Sequence, residues 1–146
     1  MIAQTIQLAL APVFMLVAIG NIMNLLSARL GRVVDRSREL QTMHGETDGI
    51  AHDIIVRQIR VLDRRIHLIG LAILSLVLSG LSIGTTVAIL FIEELLATDL
   101  QRFAAAAFLL AVALLMYALW LFLRETRAAS AALRIPADYL ELDRTI

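Results

Sequence analysis

The sequence predicts an all-α membrane protein with three transmembrane helices, the first two extended into a cytoplasmic antiparallel helical hairpin. Three observations predict it. Of 146 residues, 60% are hydrophobic, and the mean hydropathy is +0.82, whereas soluble domains are about 45–50% apolar. Three runs, 6–26, 68–92 and 103–123, contain no Lys, Arg, Asp or Glu, and each reaches the roughly 20 apolar residues that a helix needs to cross a bilayer. The arginines, finally, cluster on alternate sides of those runs.

The first run has no basic residue before it and no small-x-small cleavage site after it. It reads as a retained anchor rather than a signal peptide. Beyond it the pattern continues without a stop. Leu26, Leu30, Val33, Ser37 and Leu40 recur at alternating spacings of four and three, the signature of an apolar seam. The segment "HGETDG" (44–49) then supplies a helix stop and a helix start. Gly45 suits the left-handed residue that ends a helix, and Asp48 suits the cap of the next. A matching seam, Ile55, Ile59, Leu62, Ile66 and Ile69, leads into the second span. Residues 27–67 therefore form the predicted hairpin. Its outer charges, Asp53–Arg57, Asp35–Arg38 and Arg60–Asp63, have helix-compatible spacing.

The second run ends at Glu93 and Glu94. A short loop follows, and the third span returns antiparallel beside it. Trp120 lies one turn before Arg124, where an aromatic belt is expected. The third helix continues through "RETRAASAALRI" until Pro136 interrupts it, and residues 124–146 form a cytoplasmic tail. The whole chain, 1–146, is a single membrane domain.

Orientation follows from the thirteen basic residues, all of them arginine. None precedes the first span. Eight lie between the first and second spans: Arg29, Arg32, Arg36, Arg38, Arg57, Arg60, Arg64 and Arg65. Arg102 stands alone in the next loop, and Arg124, Arg127, Arg134 and Arg144 follow the third span. Basic residues near span ends favour the cytoplasmic side, so the N-terminus lies outside and the C-terminus in the cytoplasm. The arginine-only usage suggests GC-rich coding and a bacterial cytoplasmic membrane.

Chemistry is sparse. There is no cysteine, no GxSxG, HExxH, P-loop or dinucleotide turn, and no ionisable side chain in a span of the kind that marks ion pathways. The expectation is a non-enzymatic protein without cofactor or metal. Zero net charge gives no field to attract nucleic acid. At the hairpin tip His44, Glu46, Asp48, His52 and Asp53 are of metal-ligand type but match no metal spacing. His67 reads as an interfacial residue.

Two stripes remain as candidate sites. Gly20, Asn21, Asn24 and Ser27, with Ala28 and Gly31, make a small polar face on the first span. Ala72, Ser75, Ser79, Ser82 and Thr86 make one on the second, with Gly80 beside them. Small residues allow membrane helices to approach closely, and buried amides and hydroxyls hydrogen-bond across the contact. Both stripes are candidates for helix packing or for a pore. The second could rest on the third span's Ala104, Ala107, Ala111 and Ala118. Arg29, Arg32, Arg64, Arg65, Trp120 and Arg124 are candidate membrane-surface anchors facing anionic headgroups.

The stretches "LAPVFMLVAIGNIMNLLSARLGRVVDRSREL", "RRIHLIGLAILSL" and "FLRETRAASAALRI" resemble the small bacterial multi-pass membrane proteins of a domain-of-unknown-function family. "ARLGRVVDRSREL" is the most specific part. The resemblance implies a membrane class and location, and no activity, substrate, cofactor or catalytic residue. The expected function is therefore that of a scaffold or accessory subunit, self-associating through its small-residue faces and offering the hairpin to a partner. A homo-oligomeric pore lined by Asn21, Asn24 or the second-span serines is the alternative.

A chain without cysteine allows this topology to be tested directly. In intact cells, Thr98→Cys should react with a membrane-impermeant maleimide, and Glu46→Cys only after permeabilisation. Reaction of both, or of neither, before permeabilisation contradicts three spans.

Overall fold

The computed structural model describes residues 2–132, which form three α-helices. They are α1 (Ile2–His44), α2 (Ile50–Leu96) and α3 (Gln101–Ala132). The expected break at Pro136 and the tail beyond it lie outside the described residues. At 1.5 Å per residue, the 43 residues of α1 and 47 of α2 make rods of roughly 65 and 70 Å. All three helices are long and apolar enough to cross a membrane. Their outward faces carry large apolar side chains, among them Phe14, Leu81 and Leu109, each more than 60% exposed. Water would not tolerate so much apolar surface, but hydrocarbon would.

α1 is continuous through Pro12. A proline removes one backbone donor, a loss that membrane helices absorb. Its ring is buried, in line with a row that repeats every seven residues: Thr5, Pro12, Ile19, Leu26, Val33 and Leu40. α2 carries the complementary row Ile55, Leu62, Ile69, Leu76 and Ile83, all buried. A sustained seven-residue repeat brings helices together with a left-handed supercoil. These two rows form the larger part of one continuous core.

α2 is the central helix, packed on α1 along one side and on α3 along another. Its second row is the small-residue stripe. Ala72, Ser75, Ser79 and Thr86 are buried, and so are Ala104, Ala111 and Ala118 on α3. The Ser79 hydroxyl, completely buried, donates to the Ala111 carbonyl at 2.7 Å. Ser75 and Thr86 return their hydroxyls to their own helix, on Leu71 and Ser82 carbonyls at 2.9 Å. In a membrane such back-bonding satisfies a hydroxyl without a partner helix.

The two turns are short. Between α1 and α2 the expected left-handed residue is not Gly45. α1 closes with Gly45 N–H on the Thr42 carbonyl at 3.2 Å and Glu46 N–H on Met43 at 3.1 Å, helped by the Thr47 hydroxyl on Met43 at 2.9 Å. The reversal falls on Gly49 instead, with φ +68° and ψ −136°, a region open only to glycine. Gly49 is also the N-cap of α2, so Asp48 does not cap it. Tightened hydrogen bonds end α1 without a left-handed residue, which leaves the whole change of direction to the second glycine. Between α2 and α3, Ala97 takes the left-handed conformation at φ 51°, and the Leu100 carbonyl accepts from the Phe103 and Ala104 N–H groups in the first turn of α3.

Of the outer charges, Arg36–Glu39 forms an ion pair, and the three pairs expected from spacing do not. Exposed arginines gain little from holding one rotamer.

Ser79 lies inside the protomer, so its loss should change stability rather than assembly. Ser79→Ala should cost about 0.6 kcal/mol and Ser79→Leu about 1–3 kcal/mol by overpacking. Unfolding of the purified protein in micelles reads both, at unchanged particle mass. A fall in mass with an unshifted transition would place this stripe between protomers.

Candidate functional site

The row Ala104, Ala111 and Ala118 on α3 reaches its next seven-residue position at Glu125. The α2 row, Ala72, Ser79 and Thr86, reached backwards by the same step, arrives at Arg65. In the antiparallel register set by the Ser79–Ala111 bond, Ala72 is level with Ala118, and Arg65 with Glu125. The structure joins them there. Arg65 donates to Glu125 Oε1 from Nε at 3.0 Å and from Nη2 at 2.9 Å.

α1 supplies the third member. Arg29 Nη2 is 3.3 Å from Glu125 Oε2, close enough for an ion pair but not aligned as a hydrogen bond. Its Nη1 donates to the Thr126 hydroxyl at 3.4 Å, which itself donates to the Phe122 carbonyl at 2.9 Å. The guanidinium also lies 5.2 Å from the Phe122 ring centre, within cation–π range. The Glu125 side chain is 1% exposed, and those of Arg29 and Arg65 are 22% and 20% exposed. A carboxylate this buried requires its partners. One side chain thus ties all three helices together where their apolar runs end.

Arg29 and Arg65 therefore turn inward to Glu125, although both were expected to face headgroups. Arg32, Arg64 and Arg124 are exposed. Arg124 stacks its guanidinium 4.8 Å from the Trp120 ring, and Trp120 in turn stacks on Tyr117 at 6.0 Å. Ser75, Ser79 and Thr86 are buried, Ser79 against Ala111 of α3, with Gly80 and Ser82 half-buried beside them. Gly80 approaches α1: a Cβ there would lie 3.8 Å from Leu16. The first-span stripe is different. Asn21, Asn24 and Ser27 face outward, and Gly20 is half-buried with open space around its Cα. Neither amide makes a hydrogen bond within the described residues.

At the far turn His44 and His52 pack with ring centres 4.3 Å apart. His52 Nδ1 donates to the Thr47 carbonyl at 3.1 Å. Among the described residues no group of three His, Cys, Asp or Glu is placed to hold a metal ion. At the opposite end of the bundle the Thr5 hydroxyl donates to Glu94 Oε2 at 3.2 Å.

Glu125, Thr126 and Phe122 were missed as site residues because "RETR" reads as a basic flank. The seven-residue alanine spacing was the signal that could have found Glu125.

These features define a class: an all-α chain of three helices apolar enough to cross a membrane, clasped at one end by a buried carboxylate between two arginines. The chain belongs to the family described as a protein of unknown function, DUF2721, whose family model matches residues 9–135. No curated protein and no solved structure matches it.

Arg65→Leu leaves Glu125 Oε1 without either hydrogen bond and should destabilise the protein by about 3 kcal/mol, because breaking a buried pair strands a charge. Arg65→Leu with Glu125→Leu should recover most of that loss, since apolar replacement of both partners is nearly neutral. Denaturant unfolding in micelles measures both. A double variant no more stable than Arg65→Leu would show that the pair does not act as a unit.

Proposed function

We propose that this chain is a non-enzymatic integral protein of a bacterial cytoplasmic membrane that self-associates through the outer face of α1. In this reading residues 27–67 form a cytoplasmic antiparallel hairpin, offered to a protein partner as a scaffold or accessory subunit would offer it. The observation that carries self-association is the outward pair Asn21 and Asn24. Both lie within the first apolar run, and neither makes a hydrogen bond among the described residues. An amide facing hydrocarbon without a hydrogen bond is costly. A second copy supplies amides that both donate and accept, and Gly20, Ser27, Ala28 and Gly31 on the same face keep the approach close.

The pore alternative is weaker. Ser75, Ser79 and Thr86 are buried within the protomer, which leaves half-buried Ser82 and the two asparagines as the candidates to line a lumen. The arginine arrangement supports the cytoplasmic placement of the hairpin.

Asn24→Cys should cross-link to a dimer in native membranes under mild oxidation. Adding Ala28→Leu should reduce that cross-link about tenfold, because a branched side chain blocks close approach. An undiminished cross-link moves the interface elsewhere, and no cross-link with a monomeric mass in detergent removes self-association from the proposal.

A further inference from the structure

The face of the clasp between α1 and α2 opens into a groove. Two adjoining cavities of about 300 and 440 Å³ share Arg36, Leu62 and Arg65 along their walls. Together they are lined by five arginines, Arg29, Arg32, Arg36, Arg57 and Arg65, and by no acid. The remaining lining is leucine and valine apart from Gln58.

Two carboxylates pair with these five guanidiniums: Glu125 with Arg29 and Arg65, and Glu39 with Arg36. Arg32 and Arg57 have no acidic partner among the described residues. The groove is therefore a concentration of uncompensated positive charge with an apolar floor. Its position along the helices is equally specific. Arg29 follows the first apolar run by one turn, and Arg65 precedes the second by one turn. The wall nearest the bilayer is Leu25, inside the first run, whereas Arg57 lies about two turns beyond Arg65.

We propose that this groove binds the phosphate of an anionic phospholipid, with its headgroup among Arg32, Arg36 and Arg57 and its glycerol end against Leu25, Val33 and Leu62. Guanidinium forks match phosphate oxygens in geometry as well as in charge. Basic clefts between membrane helices at this depth recognise anionic headgroups. A freely soluble phosphate would use the arginines but not the apolar floor, so the two together favour a lipid. The proposal rests on the membrane placement of the helices and not on self-association, which has its own test.

The test uses the full-length protein in detergent, titrated with short-chain phosphatidylglycerol or phosphatidylcholine and followed by native mass spectrometry. Phosphatidylglycerol should bind with clear preference. The triple variant Arg32→Gln, Arg36→Gln and Arg57→Gln, which spares the clasp, should lower its affinity about a hundredfold, the combined effect of three surface cations. A control triple, Arg38→Gln, Arg60→Gln and Arg127→Gln, removes the same charge from exposed positions outside the groove and should retain binding. Equal loss in both triples, or equal binding of the two lipids by the native protein, overturns the groove as a site. Binding of inorganic pyrophosphate as tight as that of phosphatidylglycerol, with the same arginine dependence, overturns the lipid assignment. Cross-linking through Asn24→Cys should be unchanged in the groove triple, which separates this result from the assembly reading.

Discussion

The arrangement of three helices depends on the burial of Glu125 between Arg65 and Arg29. Alanine against serine is a contact of low specificity, and a slide by one seven-residue step leaves small residues opposite small residues. The ion pair removes that freedom. A slide one way brings Glu125 level with Ala72, and the other way brings Arg65 level with Ala118. Either places an unpaired charge about 10 Å nearer the hydrocarbon interior, where charges are expensive. The clasp thus does for α2 and α3 what a single buried polar residue does for a coiled coil: it selects one register at some cost in stability.

Much of this was legible in the residues. Apolar runs, arginine asymmetry and the seams at 26–40 and 55–69 are local patterns, and local patterns define faces. What they do not define is which face meets which. The small residues through Ser79 and the third-span alanines are visible as stripes in the sequence, and the structure joins the two at Ser79 and Ala111. A small-residue stripe suits contact between copies as well as contact within one copy, and spacing alone does not choose between them. The Ser79–Ala111 bond places this row inside the protomer, on a different face of α2 from the row that meets α1. Glu125 was hidden for the opposite reason. Flanked by Arg124 and Arg127, it looks like part of a solvated end. Its meaning appears only when a pairing across sixty residues of chain is known. The turn at 45–49 shows the same limit at short range: Gly45 suits a left-handed helix end by residue type, yet the positive φ falls on Gly49, and only the path of the chain decides which glycine takes it.

Because α2 spends two faces within the protomer and α3 spends its alanine row on α2, α1 is left with the distinctive outward surface. Its inward row is complete from Thr5 to Leu40, so the outward asparagines are not a packing remainder that rotation could bury. Turning α1 to hide Asn21 and Asn24 would withdraw Leu26 and Val33 from the core and lift Arg29 from Glu125. The clasp holds the rotation of α1 as firmly as it holds the register of α3, and the polarity of that outer face is a consequence.

The same constraint shapes the groove. Two guanidiniums converge on one carboxylate, so the clasp carries a surplus positive charge even when its contacts are fully made. Arg32, Arg36 and Arg57 extend that surplus along the groove between α1 and α2, where Glu39 pairs with Arg36 and no other acid among the described residues pairs with these three. In a water-poor boundary region such repulsion is poorly screened, and it acts to splay α1 from α2 where their apolar seam leaves the membrane. The seam residues Leu26, Val33, Leu62 and Ile69 oppose that tendency by burial alone. An anion seated among the arginines would add attraction to both walls at once. Occupancy of the groove by such an anion would thus be linked to closure of the α1–α2 seam, each favouring the other.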